Sequence, residues 1–211
     1  MVKRVQSVLK GLPLPEDRTY GYEAIAEEYM AVRSETGRKV VQKWAAYLPS
    51  GSSVLDIGAG SGEPLTSALI EQGLLVSAID ASPTMVQAFR LRFPGVEIAC
   101  EPAESSLFFN RIFDAILAAG FVFLLREEFQ RELFPRIAKA LKPGGQLLFS
   151  APRQVCSWND LMTGQPSWSL GDNEYNRILD NCGLRLTDEY TDEGGTHYYE
   201  AHKVSEIDHQ T

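Results

Sequence analysis

The sequence predicts an α/β fold, a mostly parallel sheet with helices on both faces. Three observations carry this. After position 50, short apolar runs alternate with helical patterns. The first run leads straight into a turn where Gly58, Gly60 and Gly62 stand at every second position. Only about six residues separate the last two runs, too few for a crossover, so that pair must close as an antiparallel hairpin.

The elements follow in order. Before position 50, Tyr22 to about Val32 and Gly37 to Leu48 read as helices with no strand of their own to cover, and they are expected over one end of the sheet. Ser53 to Ile57 is the first strand. Pro64 to Gln72 is a helix, with Pro64 near its first turn, where a missing N–H costs nothing, and Gly73 as its stop. Leu74 to Asp80 is the second strand. Ser82 caps a helix that starts at Pro83 and runs to about Arg92, before Pro94 and Gly95 break it. Val96 to Cys100 is the third strand. Phe113 to Ala118 is the fourth, apolar on both faces after Asp114. Glu127 to Leu141 is a helix in which Pro135 predicts a kink, and "KPGG" at 142–145 ends it. Gln146 to Ala151 is the fifth strand. Pro152 to Leu170, with Trp158, Asn159 and Trp168, reads as irregular. Asp172 to Asn181 is a helix closed by Gly183, and Leu184 to Tyr190 is the sixth strand. "TDEGG" turns the chain, and Thr196 to Lys203 returns as the seventh.

A length of 211 residues favours one domain, 1–211, here with an N-terminal helical cap at 1–49 and a ligand-binding core at 50–204. The formal charge of -8 argues against a nucleic acid partner, which needs a basic face. The one basic cluster, Lys3, Arg4 and Lys10, reads as a solvated tail. No secretory pattern is visible in the first 15 residues, and no run approaches the ~18 apolar residues of a membrane span. Cys100, Cys156 and Cys182 are odd in number, far apart and without CxxC spacing, so they read as reduced thiols in a cytoplasmic protein. No metal-ligand spacing is present, and no metal is expected.

In an open parallel sheet, ligands bind beyond the carboxyl ends of the strands. Gly58 and Gly60 let the backbone bend there and approach a ligand with no Cβ in the way. Asp80 lies 22 residues beyond Gly58, at the end of the second strand, where an acid can accept both hydroxyls of a ribose. A dinucleotide would need G-x-G-x-x-G opening a helix onto pyrophosphate. This loop reads G-A-G-S-G-E-P, and Glu63 at the helix start would repel a pyrophosphate. Asp56, before the glycines, faces the loop's own amides or a ligand cation, and an acid there suits a cationic ligand.

"VLDIGAGSG" resembles the first motif of the class I S-adenosylmethionine-dependent methyltransferases. "SAIDASPTMV" resembles their second-strand motif, "FDAILAAG" their fourth strand, and "LKPGG" before "QLLFS" their turn into the fifth. The resemblance covers roughly 50–204 and implies a Rossmann-like sheet of seven strands in the order 3-2-1-4-5-7-6, the last antiparallel. It also implies cofactor contacts from Asp56, Gly58, Ala59 and Gly60, from Asp80, Ala81 and Met85, from Ala103 and Glu104, and from Ala119. The sequence departs from the family at one place. Where members often carry G-D-A-E, with the aspartate on the adenine amino group, this chain reads Glu101, Pro102, Ala103, Glu104. Adenine is then held by backbone groups, by Glu104, or by Glu101 in a shifted register, unless both acids simply belong to a solvated turn.

Methyl transfer is an in-line displacement at an already activated carbon, so proximity and alignment suffice unless the acceptor must lose a proton. His197 is the one histidine nominated as a base, against a structural role at the start of a strand; His202 and the tail residue His209 are the others. The acceptor pocket is expected to draw on Tyr22, Phe121, Trp158, Trp168 and Tyr198, with plain packing as the alternative for the tryptophans and Tyr198. Tyr20, Tyr22 and Tyr29 are placed to close a lid. Tyr29 and Arg33 are spaced to share a helix face with Tyr22, and Arg33 is a candidate for the carboxylate of the cofactor's methionine part, with a plain surface arginine as the alternative. The expected activity is methyl transfer from S-adenosylmethionine to a small-molecule acceptor, leaving S-adenosylhomocysteine. Two alternatives stand beside it: a nicotinamide-binding oxidoreductase, and a protein that binds S-adenosylmethionine without turnover.

Overall fold

The computed structural model describes residues 17–204. Lys3, Arg4, Lys10 and His209 lie outside the described residues. The chain builds α1 (Ala26–Val32, preceded by the 3-10 turn Glu23–Ile25), α2 (Arg38–Ala45), β1 (Ser53–Ile57), α3 (Leu65–Glu71) and β2 (Leu75–Asp80). There follow α4 (Pro83–Arg92), β3 (Glu97–Cys100), β4 (Phe113–Ala118), α5 (Glu127–Ala140) and β5 (Leu141–Ser150). Then come β6 (Cys156–Asn159), β7 (Pro166–Ser169), α6 (Asp172–Asn181), β8 (Leu184–Thr191) and β9 (His197–Lys203).

The main sheet has seven strands in the order β3-β2-β1-β4-β5-β9-β8. All neighbours pair in parallel except β9, which is antiparallel to both β5 and β8. This is the expected order, with the final strand reversed by its short connection.

Alternation along the strands divides the core into two layers. Val54, Val76, Ala115, Leu117 and Leu148 face α2 and α3, around Trp44 and Leu69. Leu55, Ile57, Ile116, Ala118, Phe149 and Tyr199 face α5 and α6, around Phe134, Ile137, Tyr175 and Leu179. α4 covers the β2–β3 end with Val86 and Phe89 on Ala78 and Ile98. Its first turn is capped as expected, the Ser82 hydroxyl accepting from the Met85 N–H at 3.1 Å.

Three expectations need correction. First, α2 does not lie over the end of the sheet. Val40, Val41, Trp44, Ala45 and Leu48 form one apolar stripe, and Trp44 is fully buried against the β1–β4–β5 face. Among the described residues before 50, the segment from Arg18 to Arg33 sits at the strand ends. Second, "KPGG" does stop α5, but β5 begins at Leu141. Phe113 pairs with Leu141 and Ala115 with Gln146, so residues 142–145 bulge out of the ladder, held by Lys142 Nζ on Asp114 Oδ1 at 2.7 Å. Third, the stretch 152–170 is not irregular. β6 and β7 form a separate two-stranded hairpin with Trp158 opposite Ser167. Gln130 of α5 ties it down, its Nε2 donating to the Trp168 carbonyl at 3.0 Å. Four-residue strands with buried serines carry too little apolar alternation to be read from sequence. Pro135 lies inside α5, which is continuous through it.

Candidate ligand-binding site

A cavity opens at the carboxyl ends of β1, β2 and β4, between the glycine turn and the segment from Arg18 to Arg33. Its floor is the turn itself. The N–H groups of Gly58 and Ala59 both donate to the Ile79 carbonyl, at 2.9 and 3.1 Å, and lock the turn onto β2. At Gly58, φ is +73° and a Cβ would lie 2.8 Å from Phe121. Glycine is therefore required there by conformation and by the Phe121 ring that walls the cavity. At Gly60, φ is +58° and a Cβ would meet nothing within 4 Å. Gly62 serves packing instead, since the space beside it is filled by Phe89 and Phe93.

Asp80 ends β2 with both oxygens engaged. Oδ2 accepts from the Gly60 N–H and Oδ1 from the Ser82 N–H, each at 2.8 Å. Burial pushes its pKa up; the two backbone bonds oppose this, and the charge of Glu23 adds to it. Asp56 is buried behind the turn, where Thr66 of α3 donates to its Oδ2 at 2.6 Å. Burial raises its pKa to about 7, against the Thr66 bond and with a contribution from Asp80.

The opposite wall comes from the N-terminal segment, which three acids hold in place. Tyr20 donates to Glu104 Oε1 at 2.5 Å. Tyr22 donates to Asp160 Oδ2, in the β6–β7 turn, at 3.2 Å and meets Tyr29 edge-on at 5.2 Å. Glu23 accepts from the Ser82 hydroxyl and from the Thr84 hydroxyl, the latter at 2.7 Å, at the start of α4. Burial raises the pKa of the Tyr20 phenol, and the Glu104 charge adds to this. Arg33 lines the cavity and donates to the carbonyls of Ser34 and Thr36, at 2.9 and 3.2 Å. Among the described residues, no carboxylate pairs with it.

All the residues named for the cofactor line this cavity: Asp56, Gly58, Ala59, Gly60, Asp80, Ala81, Met85, Ala103, Glu104, Ala119, Tyr29 and Arg33. Of the acceptor set, Tyr22 and Phe121 join them. The other four nominees lie outside the lining. β9 starts at His197, so His197 and Tyr199 share the α6 face, and the imidazole packs edge-on against Tyr199 at 4.5 Å. Tyr198 points to the opposite face, where its hydroxyl donates to Asp192 at 3.1 Å beside Gly37. Trp158 packs on Phe123 at 5.6 Å, and Trp168 belongs to the β6–β7 hairpin behind it.

Sequence reasoning missed Glu23, Asp160 and Ser82's second role as a donor to Glu23. Nothing local marks Glu23 or Asp160: their partners lie 59 and 138 residues away. Glu104 was foreseen, but not the state of its carboxylate. Oε1 is taken by Tyr20, while Oε2 is buried with no hydrogen-bond partner.

Residues 54–145 match a protein family described as a methyltransferase domain. Over 94 residues the chain is 35% identical to uncharacterized methyltransferases of Mycobacterium tuberculosis and Mycobacterium bovis, a match that covers 44% of this chain and 37% of those proteins. The chain thus matches well under half the length of these curated relatives. Among solved structures it resembles the 1,6-didemethyltoxoflavin-N1-methyltransferase of Burkholderia thailandensis, at 18% identity and a TM-score of 0.68 over 92% of this chain and 94% of that one. It also resembles the CcbJ methyltransferase of Streptomyces caelestis, at 17% identity and a TM-score of 0.71 over 90% and 100%. At such identities the solved structures speak to the fold. Over 54–145 the chain is thus similar to the methyltransferase-domain family, and its seven-stranded sheet gives it the fold of these solved methyltransferases.

Proposed function

We propose that the protein transfers the methyl group of S-adenosylmethionine to a small-molecule acceptor and releases S-adenosylhomocysteine. The observation that carries this reading is Asp80. It stands in the cavity with both oxygens fixed by backbone N–H groups, and each oxygen keeps a lone pair for a ribose hydroxyl. The rest of the lining fits the same nucleoside. Met85, Ala81 and Ala103 offer apolar surface for the adenine. Glu104 Oε2, buried and without a partner, suits the adenine amino group, the role that Pro102 cannot fill. Arg33, without a carboxylate of its own, suits the methionine carboxylate.

The bound sulfonium supplies an activated methyl group. The chain's own residues then have to hold, align and exclude water. The Tyr20–Glu104, Tyr22–Asp160 and Glu23–Ser82 contacts fasten the N-terminal segment across the cavity. No histidine stands among the described lining residues, so acceptors that are nucleophilic without help from an imidazole are favoured. His197, Trp158, Trp168 and Tyr198 keep a role only if the acceptor reaches beyond this cavity. A small acceptor is supported by relatives in fold whose names specify one: the toxoflavin-precursor N-methyltransferase and a mitomycin 7-O-methyltransferase.

We also propose that the described part of the expected cap, residues 17–49, closes over the 50–204 core, with the cavity contacts of Tyr20 to Arg33 in support and α2 as a shared layer; residues 1–16 of the expected cap lie outside the described residues. No helix among the described residues is long and apolar enough to cross a membrane. The three free cysteines support a reducing, cytoplasmic setting.

Calorimetric titration with S-adenosylmethionine, S-adenosylhomocysteine and NAD tests the reading. Micromolar binding of the first two and none of NAD is expected. NAD binding alone would reverse the assignment to an oxidoreductase. Cofactor binding with no transfer of a labelled methyl group across hydroxyl, amine, thiol and carbon acceptors would favour binding without turnover.

A further inference from the structure

We infer a second site, for a first-row divalent cation, where Asp172, Glu189 and His197 converge. It lies outside the nucleoside cavity and does not rest on the proposed methyl transfer. Asp172 is in the first turn of α6, Glu189 is on β8 and His197 opens β9. One carboxylate oxygen of each acid and one imidazole nitrogen all lie within 4.8 Å of one another.

The imidazole is the telling group. His197 is only 9% exposed, and its Nε2 has no hydrogen-bond partner. Glu189 Oε2 is 3.9 Å away, too far for a hydrogen bond and well placed to share an ion. The surroundings already hold positive charge at this point. Arg153 Nε lies 2.9 Å from Asp172 Oδ2, and its terminal nitrogen lies 3.6 Å from Glu189 Oε2. The guanidinium therefore sits against both carboxylates that a cation would take, yet leaves the imidazole nitrogen unused. It is 54% exposed and ion-paired at the surface, so it can swing away at small cost. Tyr199 donates to the other oxygen of Asp172 and would orient it as a ligand. One imidazole and two carboxylates suit zinc or manganese, with water completing the coordination. An ion here would tie α6 to the β8–β9 hairpin, whose turn at Gly194 abuts Thr36, near Arg33.

The test is calorimetric titration of the chelator-treated full chain with Zn²⁺ and, separately, Mn²⁺. One equivalent of at least one metal should bind. His197→Asn and Glu189→Gln should each weaken it by about tenfold or more, with circular dichroism showing that the variants fold. Arg153→Ala removes a competing cation and should bind as tightly as wild type or more tightly. Uptake of neither metal would overturn the site. So would undiminished binding in Glu189→Gln, whose partly exposed acid can be changed even if His197→Asn fails to fold. Weakened binding in Arg153→Ala would show that the metal does not compete with the arginine for these carboxylates, and would move the metal away from this cluster.

Discussion

The backbone N–H of Gly60 donates to Asp80 Oδ2 at 2.8 Å. This bond joins the turn after β1 to the end of β2, so the acid proposed to hold the ribose and the glycine floor of the cavity form one rigid unit. Their separation of 20 residues in the chain becomes one hydrogen bond because β1 and β2 pair in parallel, with Ile57 opposite Ile79.

Asp80→Ala should weaken S-adenosylhomocysteine binding by roughly 1.5–3 kcal/mol, the range for hydrogen bonds to a charged group. It should also loosen the glycine turn, which loses an anchor. Calorimetry on the folded variant measures this, and an unchanged dissociation constant would remove Asp80 from the site.

Gly58→Val places a branched side chain at φ +73°, with its Cβ 2.8 Å from Phe121. The change should abolish cofactor binding through displacement of Phe121 and the turn, and should lower the melting temperature as well. A variant with wild-type melting and binding would show that the turn does not floor the site.

Tyr20→Phe leaves both oxygens of the Glu104 carboxylate without a protein partner. A loss of roughly 1–3 kcal/mol in stability is expected, the cost of an unsatisfied buried acceptor. Adding S-adenosylhomocysteine should recover part of it if Glu104 meets the adenine amino group. The analogue with hypoxanthine in place of adenine carries no such donor and should recover less. Equal rescue by both, read from melting curves, would assign Glu104 to the lid alone.

Burial raises the pKa of Asp56 to about 7, from the ordinary carboxylate value of 3.8. Between those values the unfolded chain releases a proton that the folded chain retains. Stability should therefore fall as pH rises from about 4 to about 7 and then level off. Asp56→Asn keeps an acceptor for Thr66 and removes the titration. Its urea-unfolding free energy relative to wild type should grow with pH across that window. A constant difference would contradict the buried, protonated state.

Much of the cavity was legible in the chain. The three glycines, Asp56 and Asp80 sit at the ends of short apolar runs, and parallel pairing brings such ends together. The helix bounds Pro83–Arg92 and Asp172–Asn181 were legible too, since Ser82, Pro83 and Gly183 act within one turn of where they stand. Asp160 under Tyr22, Glu23 on Ser82 and Thr84, and Tyr20 on Glu104 were not, because no local rule links residues 59 to 138 positions apart.

By itself, then, the sequence determined the seven strands of the main sheet, its reversed final strand and the glycine turn beyond β1, because periodicity and glycine conformation are local properties. Only the tertiary structure decided where the aromatic and ionisable side chains of the last third point. A strand's side chains alternate by residue, so the starting residue of β9 sends His197 toward Asp172 and Glu189 and leaves Tyr198 on the α2–α3 face. Packing of α2 on the sheet and closure of β6 on β7 set the remaining distances, and those depend on contacts across the whole chain.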